Sequence, residues 1–191
     1  MEQQTSGALI KGRQKDGGLG YDVAVIRPQL RAEEIKLRGE GFAPERLRKI
    51  RKGLLTLHTL ETMAVSIYTF QLTRKRTEHN RQLIAAMCNE MTHLMDFNAK
   101  LYEYGWKPSK WRWGYWMVGW AFGYFSRLLG AKQILKTGIW VETKAVHHYA
   151  ELLETVEWED DVRRVVEKNQ ADEGGHITRW RTLLEKLESR K

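Results

Sequence analysis

Two Glu-x-x-His sequences occur in this chain of 191 residues, Glu90 to His93 and Glu173 to His176. On a helix, this spacing puts the carboxylate and the imidazole on one face, where both can bind the same metal ion. A single copy would be weak support for a metal site, because the spacing also arises by chance on helix surfaces. Each copy here follows a lone glutamate on the preceding segment, Glu61 in the first half and Glu142 in the second. The doubled pattern therefore predicts one metal centre built from both halves of the chain.

The two lone glutamates open nearly identical sequences. Residues 61–68 read ETMAVSIY and residues 142–149 read ETKAVHHY. Tyr68 and Tyr149 each follow their glutamate by one heptad and so return to nearly the same helix face. A tyrosine in this place could donate a hydrogen bond to a ligand carboxylate or relay a proton and an electron; the alternative is a tyrosine that only packs in the core. Both alternatives stay open for Tyr68, whereas Tyr149 is predicted to be functional.

The two copies differ at a pair of histidines. Where the first copy has Ser66 and Ile67, the second has His147 and His148. The substrate is therefore expected on the side of the second copy. His148 could hydrogen-bond a substrate or a carboxylate beside the metal, whereas packing or exposure to solvent is expected for His147. For His58, one turn before the first lone glutamate, a hydrogen bond to a metal ligand and an unrelated role both stay open.

Breaker residues and changes in polarity divide the chain into helices and turns. The Gly-rich, charged sequence of residues 1–43 is typical of a flexible or loosely docked arm, and Pro44 suits the first turn of a helix. Predicted helices run over 44–73, from a polar turn at 73–80 to 104, over 131–156, and from a second turn at 157–161 to 189. We therefore expect an all-α fold in which residues 44–191 form a four-helix bundle of two antiparallel hairpins. The long crossover between the hairpins would carry an extra aromatic, amphipathic helix.

The lengths of the predicted hairpins are consistent with a shared site in the bundle interior. The midpoint between Glu61 and Glu90 falls inside the first turn, and that between Glu142 and Glu173 falls inside the second. At about 1.5 Å per residue, each pair lies roughly 20 Å from its turn, near the middle of a long bundle. Four buried carboxylates need a cation to offset their repulsion, and carboxylates with imidazoles suit iron or manganese. The same ligand set occurs in ferritin-like bundles that hold two carboxylate-bridged iron ions.

Residues around these ligands match those of a known family over roughly residues 54–180. The matching residues are His58, Glu61, Ala64, Ile67, Tyr68, Gln71, Glu90, His93, Leu94, Phe97, Asn98, Leu128, Leu129, Gly130, Val141, Glu142, His147, His148, Tyr149, Asp172, Glu173 and His176. In this set the chain resembles the demethoxyubiquinone hydroxylases of ubiquinone biosynthesis. The chain departs from that family at Gly174 and Gly175, where glycine costs about 1 kcal/mol per residue in a helix and predicts a locally loose ligand segment.

The resemblance implies a di-iron monooxygenase that uses O2 to hydroxylate the ring of demethoxyubiquinol or a related polyprenylated quinol. One iron ion would be held by Glu61, Glu90 and His93 and the other by Glu142, Glu173 and His176, with two of the glutamates bridging. His148 and Tyr149 would orient the quinol or pass electrons. The external reductant stays open, with NADH as one candidate.

The crossover segment Trp111–Leu129 is rich in aromatic residues and is flanked by cations such as Lys107 and Arg127. Its uncharged run is too short to cross a bilayer, which takes about 20 apolar residues. This composition is typical of an interfacial segment, so we expect residues 107–129 to contact a membrane surface and admit a lipid tail. A crossover helix packed on the bundle stays open. So does an interface with a second copy or with another protein of quinone biosynthesis.

Charge and cysteine content restrict the partners and the compartment. The net charge of +8 permits binding to nucleic acid or to an anionic membrane, but without a recognition motif nucleic acid is not an expected partner. The single cysteine leaves no disulfide or Cys-based metal site within one chain, and the N-terminal sequence lacks the apolar run of a secretory signal. We therefore expect a peripheral protein on the cytoplasmic side of a membrane.

Two other functions stay open on this sequence. A ferroxidase or rubrerythrin-like di-iron peroxidase would use a similar ligand set and would turn over iron or peroxide without a quinone. A non-catalytic helical module, stabilised by metal and docked on a membrane, would keep its function without Glu142 or His176. Such a module would instead depend on Trp116 or Trp120.

Overall fold

A computed structural model describes residues 32–189 of the chain. One 3-10 turn, Ala32–Glu34, precedes five α-helices: α1 (Pro44–Gln71), α2 (Glu78–Glu103), α3 (Arg112–Leu128), α4 (Ala131–Thr155) and α5 (Asp160–Glu188). The described residues contain no strand, so the predicted all-α class is confirmed. All five helices lie in one compact unit that begins at Gly39. Most of the predicted arm, residues 1–31, lies outside the described residues, and the division of the chain at residue 43 stays a prediction.

The first hairpin turn is fixed by polar side chains. Thr77 is the N-cap of α2, and its hydroxyl accepts a hydrogen bond from the backbone N–H of Asn80. The buried Asn80 amide closes the turn in both directions, because its Oδ1 accepts from Thr73 N and its Nδ2 donates to Thr73 O, each at 2.9 Å. The helix consequently starts at Glu78, inside the stretch that the sequence predicted as a turn.

The four long helices form two antiparallel pairs that face each other. Short connections place α1 against α2 and α4 against α5, and the pairs meet where α1 contacts α4 and α2 contacts α5. Two apolar clusters fill the interior. One includes Leu57 and Val166, and the other includes Tyr68 and Trp180. Because Glu61 lies between Leu57 and Tyr68 along α1, the predicted ligands occupy the level between the clusters.

The crossover helix α3 packs directly on α1. A Cβ atom at Gly119 would lie 2.4 Å from the carbonyl oxygen of Met63, and one at Gly123 would lie 2.4 Å from that of Ile67. These two glycines therefore permit backbone contact between the helices, as small residues four apart do in other helix pairs. Ser66 Oγ also donates to the carbonyl oxygen of Trp116 at 2.8 Å. One face of α3 is thus packed on the bundle, as the alternative of a packed crossover helix expected.

The other face of α3 is exposed and apolar. The large apolar and aromatic side chains of α3 that are at least 39% exposed are Trp113, Tyr115, Trp116, Met117, Val118, Trp120, Phe122, Tyr124, Phe125 and Leu128. Among the described residues, no helix combines the length and the apolarity that a bilayer span requires.

Candidate metal centre

Six predicted ligands converge in the core between the two hairpins. Each of the four long helices contributes: Glu61 from α1, Glu90 and His93 from α2, Glu142 from α4, and Glu173 and His176 from α5. All six side chains are at most 2% exposed. They form two groups, each with ligand atoms within 4.8 Å of one another. One group is Glu61, Glu90, His93 and Glu173, and the other is Glu90, Glu142, Glu173 and His176.

Glu90 and Glu173 belong to both groups, and each offers one oxygen to each histidine. His93 Nδ1 lies 3.0 Å from Glu173 Oε1 and 3.5 Å from Glu90 Oε2. On the other side, His176 Nδ1 lies 2.9 Å from Glu90 Oε1 and 3.3 Å from Glu173 Oε2. The lone glutamates complete the pattern: Glu61 Oε2 lies 3.7 Å from His93 Nδ1, and Glu142 Oε1 lies 3.7 Å from His176 Nδ1. The two shared carboxylates thus lie between the two groups, each of which could hold a metal ion.

Tyrosines hold the lone glutamates from the opposite hairpin. The hydroxyl of Tyr149 on α4 donates to Glu61 Oε1 on α1, and the hydroxyl of Tyr68 on α1 donates to Glu142 Oε1 on α4. The indole N–H of Trp180 in turn donates to Tyr68 Oη at 3.1 Å. Of the two roles open for Tyr68, the structure therefore favours the hydrogen bond to a ligand carboxylate. Trp180 was not singled out from the sequence.

Asp172 is a second residue whose role the sequence did not predict. Its Oδ2 lies 3.1 Å from His93 Nε2, on the side of the ring away from the shared glutamates. A carboxylate on the outer nitrogen fixes the orientation and the tautomer of a metal-binding imidazole. The corresponding position before Glu90 holds Asn89. The signal in the sequence was the acidic residue that directly precedes the second Glu-x-x-His.

Burial affects the carboxyl groups unequally. Loss of solvent raises the pKa of Glu61 and of Glu142 well above the usual range of a carboxyl. Burial also acts to raise the pKa of Glu90, but the imidazoles of His176 and His93 beside its carboxylate outweigh burial and lower the pKa to about 2. Glu90, which belongs to both groups, therefore keeps its negative charge, which a cation requires.

The two imidazoles respond to the same carboxylates. Burial acts to lower the pKa of His176, yet the carboxylates of the surrounding glutamates, within 4 Å of its Nδ1, raise that pKa to about 11. The pKa of His93 is raised as well, by the same kind of contacts and against the same effect of burial. In the metal-free protein both rings are consequently held as cations among the carboxylates.

Several buried ligand atoms have no ordinary hydrogen-bond partner. They are both carboxylate oxygens of Glu90 and of Glu173, Oε2 of Glu142, and Nδ1 of both His93 and His176. Buried polar atoms are normally satisfied, so a cluster of such atoms aimed at one place fits a group that accepts their lone pairs. Hard carboxylate oxygens with two imidazole nitrogens are the donors that iron and manganese prefer. The residues present therefore fit a pair of such ions.

A cavity of about 380 Å³ reaches this cluster from the side where α1 and α4 meet. Besides the carboxylates of the cluster, the cavity has a mostly apolar lining, formed by Leu60, Met63, Ala64, Trp140, Val141 and Ala145. Lys144 and His148 are the two other polar residues of the lining. The side chain of His148 is 45% exposed, so it stands between solvent and the cavity. Tyr149 does not line the cavity, because it is fully buried and its hydroxyl is directed at Glu61.

The remaining histidines have less direct relations to the centre. His58 is buried, and its Nε2 lies 3.0 Å from Asn98 Oδ1 on α2. His147 is exposed. The corresponding residue of the first copy, Ser66, is fully buried because α3 covers it. The two copies therefore differ at this position because α3 covers Ser66 on α1, whereas His147 on α4 is exposed.

A family model described as ubiquinone biosynthesis protein COQ7 matches residues 49–190. This range includes all six converging residues and the helix that lies on α1. No protein with a curated description matches the chain.

Proposed function

Since the chain belongs to the COQ7 family of ubiquinone biosynthesis proteins, we propose that it is a di-iron, O2-dependent monooxygenase. Its substrate is the ring of demethoxyubiquinol or a related polyprenylated quinol. The observation that carries the proposal is the cavity between α1 and α4, which joins a mostly apolar lining to four carboxylates of the metal cluster. An aromatic quinol ring fits such a lining, and the open side of the cavity leaves room for an attached tail.

The overall reaction uses one O2, two electrons and two protons. One oxygen atom enters a ring C–H bond to give a hydroxyl group, and the other leaves as water. Two iron ions held by Glu61, Glu90, His93, Glu142, Glu173 and His176 would supply O2 activation and electron storage. An external reductant, for which NADH is one candidate, would restore the electrons.

The protein's own side chains have separable tasks in this proposal. Tyr149 and Tyr68 hold Glu61 and Glu142 by hydrogen bonds, so the carboxylates need little rearrangement when the metal ions bind. Apolar residues of the cavity, Trp140 among them, exclude water and hold the ring. His148 stands at the cavity with a half-exposed imidazole, where it can orient a quinol hydroxyl or exchange a proton with solvent. Tyr149 acts through Glu61 and not on the quinol.

We also propose that the protein associates peripherally with the cytoplasmic side of a membrane. The exposed aromatic face of α3 supports this, because tryptophan and tyrosine favour the head-group region of a bilayer. Phe122 of that helix stacks on Trp140, a cavity residue, with ring centroids 5.6 Å apart. A polyprenyl tail emerging from the cavity would therefore meet the membrane-facing helix.

The test is turnover by the purified, iron-loaded protein. Under air and with a chemical or nicotinamide reductant, demethoxyubiquinol with a short prenyl tail is expected to gain one hydroxyl group, with the oxygen derived from 18O2. Glu142→Ala and His176→Ala should abolish the product. Iron oxidation or peroxide consumption with no dependence on quinol would instead favour the ferroxidase or peroxidase alternative. Membrane binding that survives these two changes, without any hydroxylation by the unmodified protein, would favour the non-catalytic module.

A further inference from the structure

A second and larger cavity, of about 640 Å³, lies between α1 and the first half of α3. None of the six predicted metal ligands lines it. Its wall on α1 comes from the outer face of that helix, and its wall on α3 includes Tyr115 and Val118. Neither the hydroxylation chemistry nor the predicted metal site makes use of this space.

Three cations of α1 stand at one side of the cavity. Arg48, Arg51 and Lys52 follow the i, i+3, i+4 spacing and so share one helix face. Other cations of the same turns are paired, since Arg46 lies 3.5 Å from Glu157 and Lys49 lies 3.6 Å from Glu45. By contrast, no carboxylate within the described range 32–189 is paired with any of the three cavity cations. The unpaired positive charge is therefore concentrated where the cavity opens.

The rest of the lining is mainly apolar or aromatic. Leu55 comes from α1, Val118 and Tyr115 come from α3, and Trp111 stands at the rim with 79% exposure. A small inorganic anion would satisfy the cations but would leave this surface uncovered. An amphiphile, with one anionic group and an attached hydrocarbon chain, would satisfy both parts.

From this geometry we propose that the cavity is a binding site for an anionic phospholipid. The phosphate group contacts Arg48, Arg51 and Lys52, and the start of an acyl chain lies against Leu55 and Val118. The cavity is continuous with the exposed aromatic face of α3, which makes a lipid of the membrane the occupant and not a soluble phosphate. The inference rests on the proposed membrane association and is independent of the hydroxylase activity.

Vesicle sedimentation of the full, iron-loaded chain tests the site. Vesicles of phosphatidylcholine alone are compared with vesicles in which one lipid in four is phosphatidylglycerol. The Arg48→Gln/Arg51→Gln double variant is expected to bind the anionic vesicles about 25-fold more weakly, since each cation at an anionic surface contributes about fivefold. The matched control is Arg164→Gln/Arg181→Gln, which removes the same charge from the exposed surface of α5 and should change binding much less.

A third variant separates the cavity from general surface charge. Val118→Trp leaves the charge unchanged and fills the space, and because Val118 is 47% exposed the fold should tolerate it. The added tryptophan favours neutral and anionic surfaces alike, so the expected result is a severalfold fall in the ratio of binding to anionic vesicles over binding to phosphatidylcholine vesicles. Equal losses in both double variants, with no fall of this ratio in Val118→Trp, would overturn the proposal in favour of non-specific attraction.

Soluble competitors distinguish the source of the phosphate. Inorganic phosphate and glycerophosphoglycerol, at the concentration of accessible lipid, should displace almost no protein from the vesicles. Displacement by either one would overturn the lipid assignment. Hydroxylation of a tail-less quinol should be unchanged in Arg48→Gln/Arg51→Gln. Should the protein hydroxylate no quinol at all, the vesicle results still decide the lipid site by themselves.

Discussion

Tyr149 and Glu61 are joined by a hydrogen bond at the buried centre of the protein, although 88 residues separate them in the chain. Tyr68 and Glu142 make the reciprocal contact. Each lone glutamate is thus held by a tyrosine of the other half. The repeated sequence that begins with a glutamate and ends with a tyrosine serves both halves of the centre at once.

Removal of the Tyr149 hydroxyl should weaken metal binding. In Tyr149→Phe, Glu61 loses its donor and the carboxylate is free to rotate, so we expect iron affinity to fall by about 10- to 100-fold. The metal-free protein should also lose roughly 1–3 kcal/mol of unfolding free energy, because a buried carboxyl loses a hydrogen bond. Competition with a chelator and urea denaturation measure the two effects. Tyr102→Phe, at a tyrosine that is 58% exposed, is the control and should change neither; unchanged iron affinity in Tyr149→Phe would contradict the role.

Asp172→Asn should affect one metal position more than the other. Of the two histidines in the cluster, Asp172 contacts His93, at 3.1 Å, and the other half has Asn89 in the equivalent place. We expect the ion beside His93 to bind about 10- to 100-fold more weakly, so that metal removal by a chelator becomes biphasic. Glu167→Gln, which removes an exposed carboxylate of the same helix, should keep the profile of the unmodified protein. A uniform loss of both ions in Asp172→Asn would refute the asymmetry.

Iron loading should release protons and become tighter as the pH rises. The pKa of His176 in the metal-free protein is raised to about 11, and that of His93 is raised too. At neutral pH both rings are therefore protonated, and an ion that binds Nδ1 must displace a proton from each. Because the protonated fraction falls only as the pH approaches the raised pKa values, affinity should increase with pH throughout the neutral range. Calorimetry in buffers of different ionisation enthalpy counts the protons, and a count of zero would contradict the assignment.

Two pairs of glycines should respond oppositely to alanine. A methyl group added at Gly174 or Gly175 on α5 would have no neighbouring atom within 4 Å, so alanine fits there. Each change should stabilise the metal-free protein by about 0.5–1 kcal/mol, the cost of glycine in a helix. At Gly119 and Gly123 an added Cβ would lie 2.4 Å from a carbonyl oxygen of α1, so alanine there should destabilise by about 1–3 kcal/mol. Urea denaturation followed by tryptophan fluorescence compares the four variants, and equal effects in the two pairs would count against the close contact of α3 with α1.

Changes at the stacked pair Trp140 and Phe122 should depend on the substrate tail. Under the proposed function, Trp140→Leu or Phe122→Leu removes part of the surface between the cavity and α3. We expect Phe122→Leu to raise the KM for a polyprenylated quinol with little change for a tail-less one. Trp140 also lines the ring cavity, so Trp140→Leu should raise the KM for both substrates, and more for the polyprenylated one. Trp113→Leu, at another exposed tryptophan of α3, is the control. A similar rise of KM for both substrates would assign Trp140 to the ring alone.

The sequence predicted the helices and the six converging residues because both depend on local spacing. Pro44 begins α1, Gly130 with its positive φ precedes α4, and the Glu-x-x-His spacing is read directly along a helix. The family resemblance is confirmed by the match over residues 49–190. The convergence itself followed from the position of each turn midway between its two glutamates.

What the sequence could not supply depends on contacts between helices. The direction of Tyr149, into the core and away from the cavity, is set by how α4 faces α1. Asp172 precedes the predicted ligand Glu173 by one residue and so points elsewhere on α5. Packing of α2 against α5 brings His93 to it. Likewise, the glycines at 119 and 123 are recognisable as contact positions only once α3 lies on α1.

The reciprocal tyrosine contacts also bear on how the protein assembles. Neither hairpin contains a complete set of partners for its own glutamates, because Glu61 depends on α4 and Glu90 depends on His176 of α5. A hairpin produced alone would therefore carry buried acids without their donors, and it should neither hold iron nor keep a native core. We therefore expect docking of the hairpins and formation of the buried cluster to be a single cooperative event, which any metal ion bound by residues of both halves would favour further.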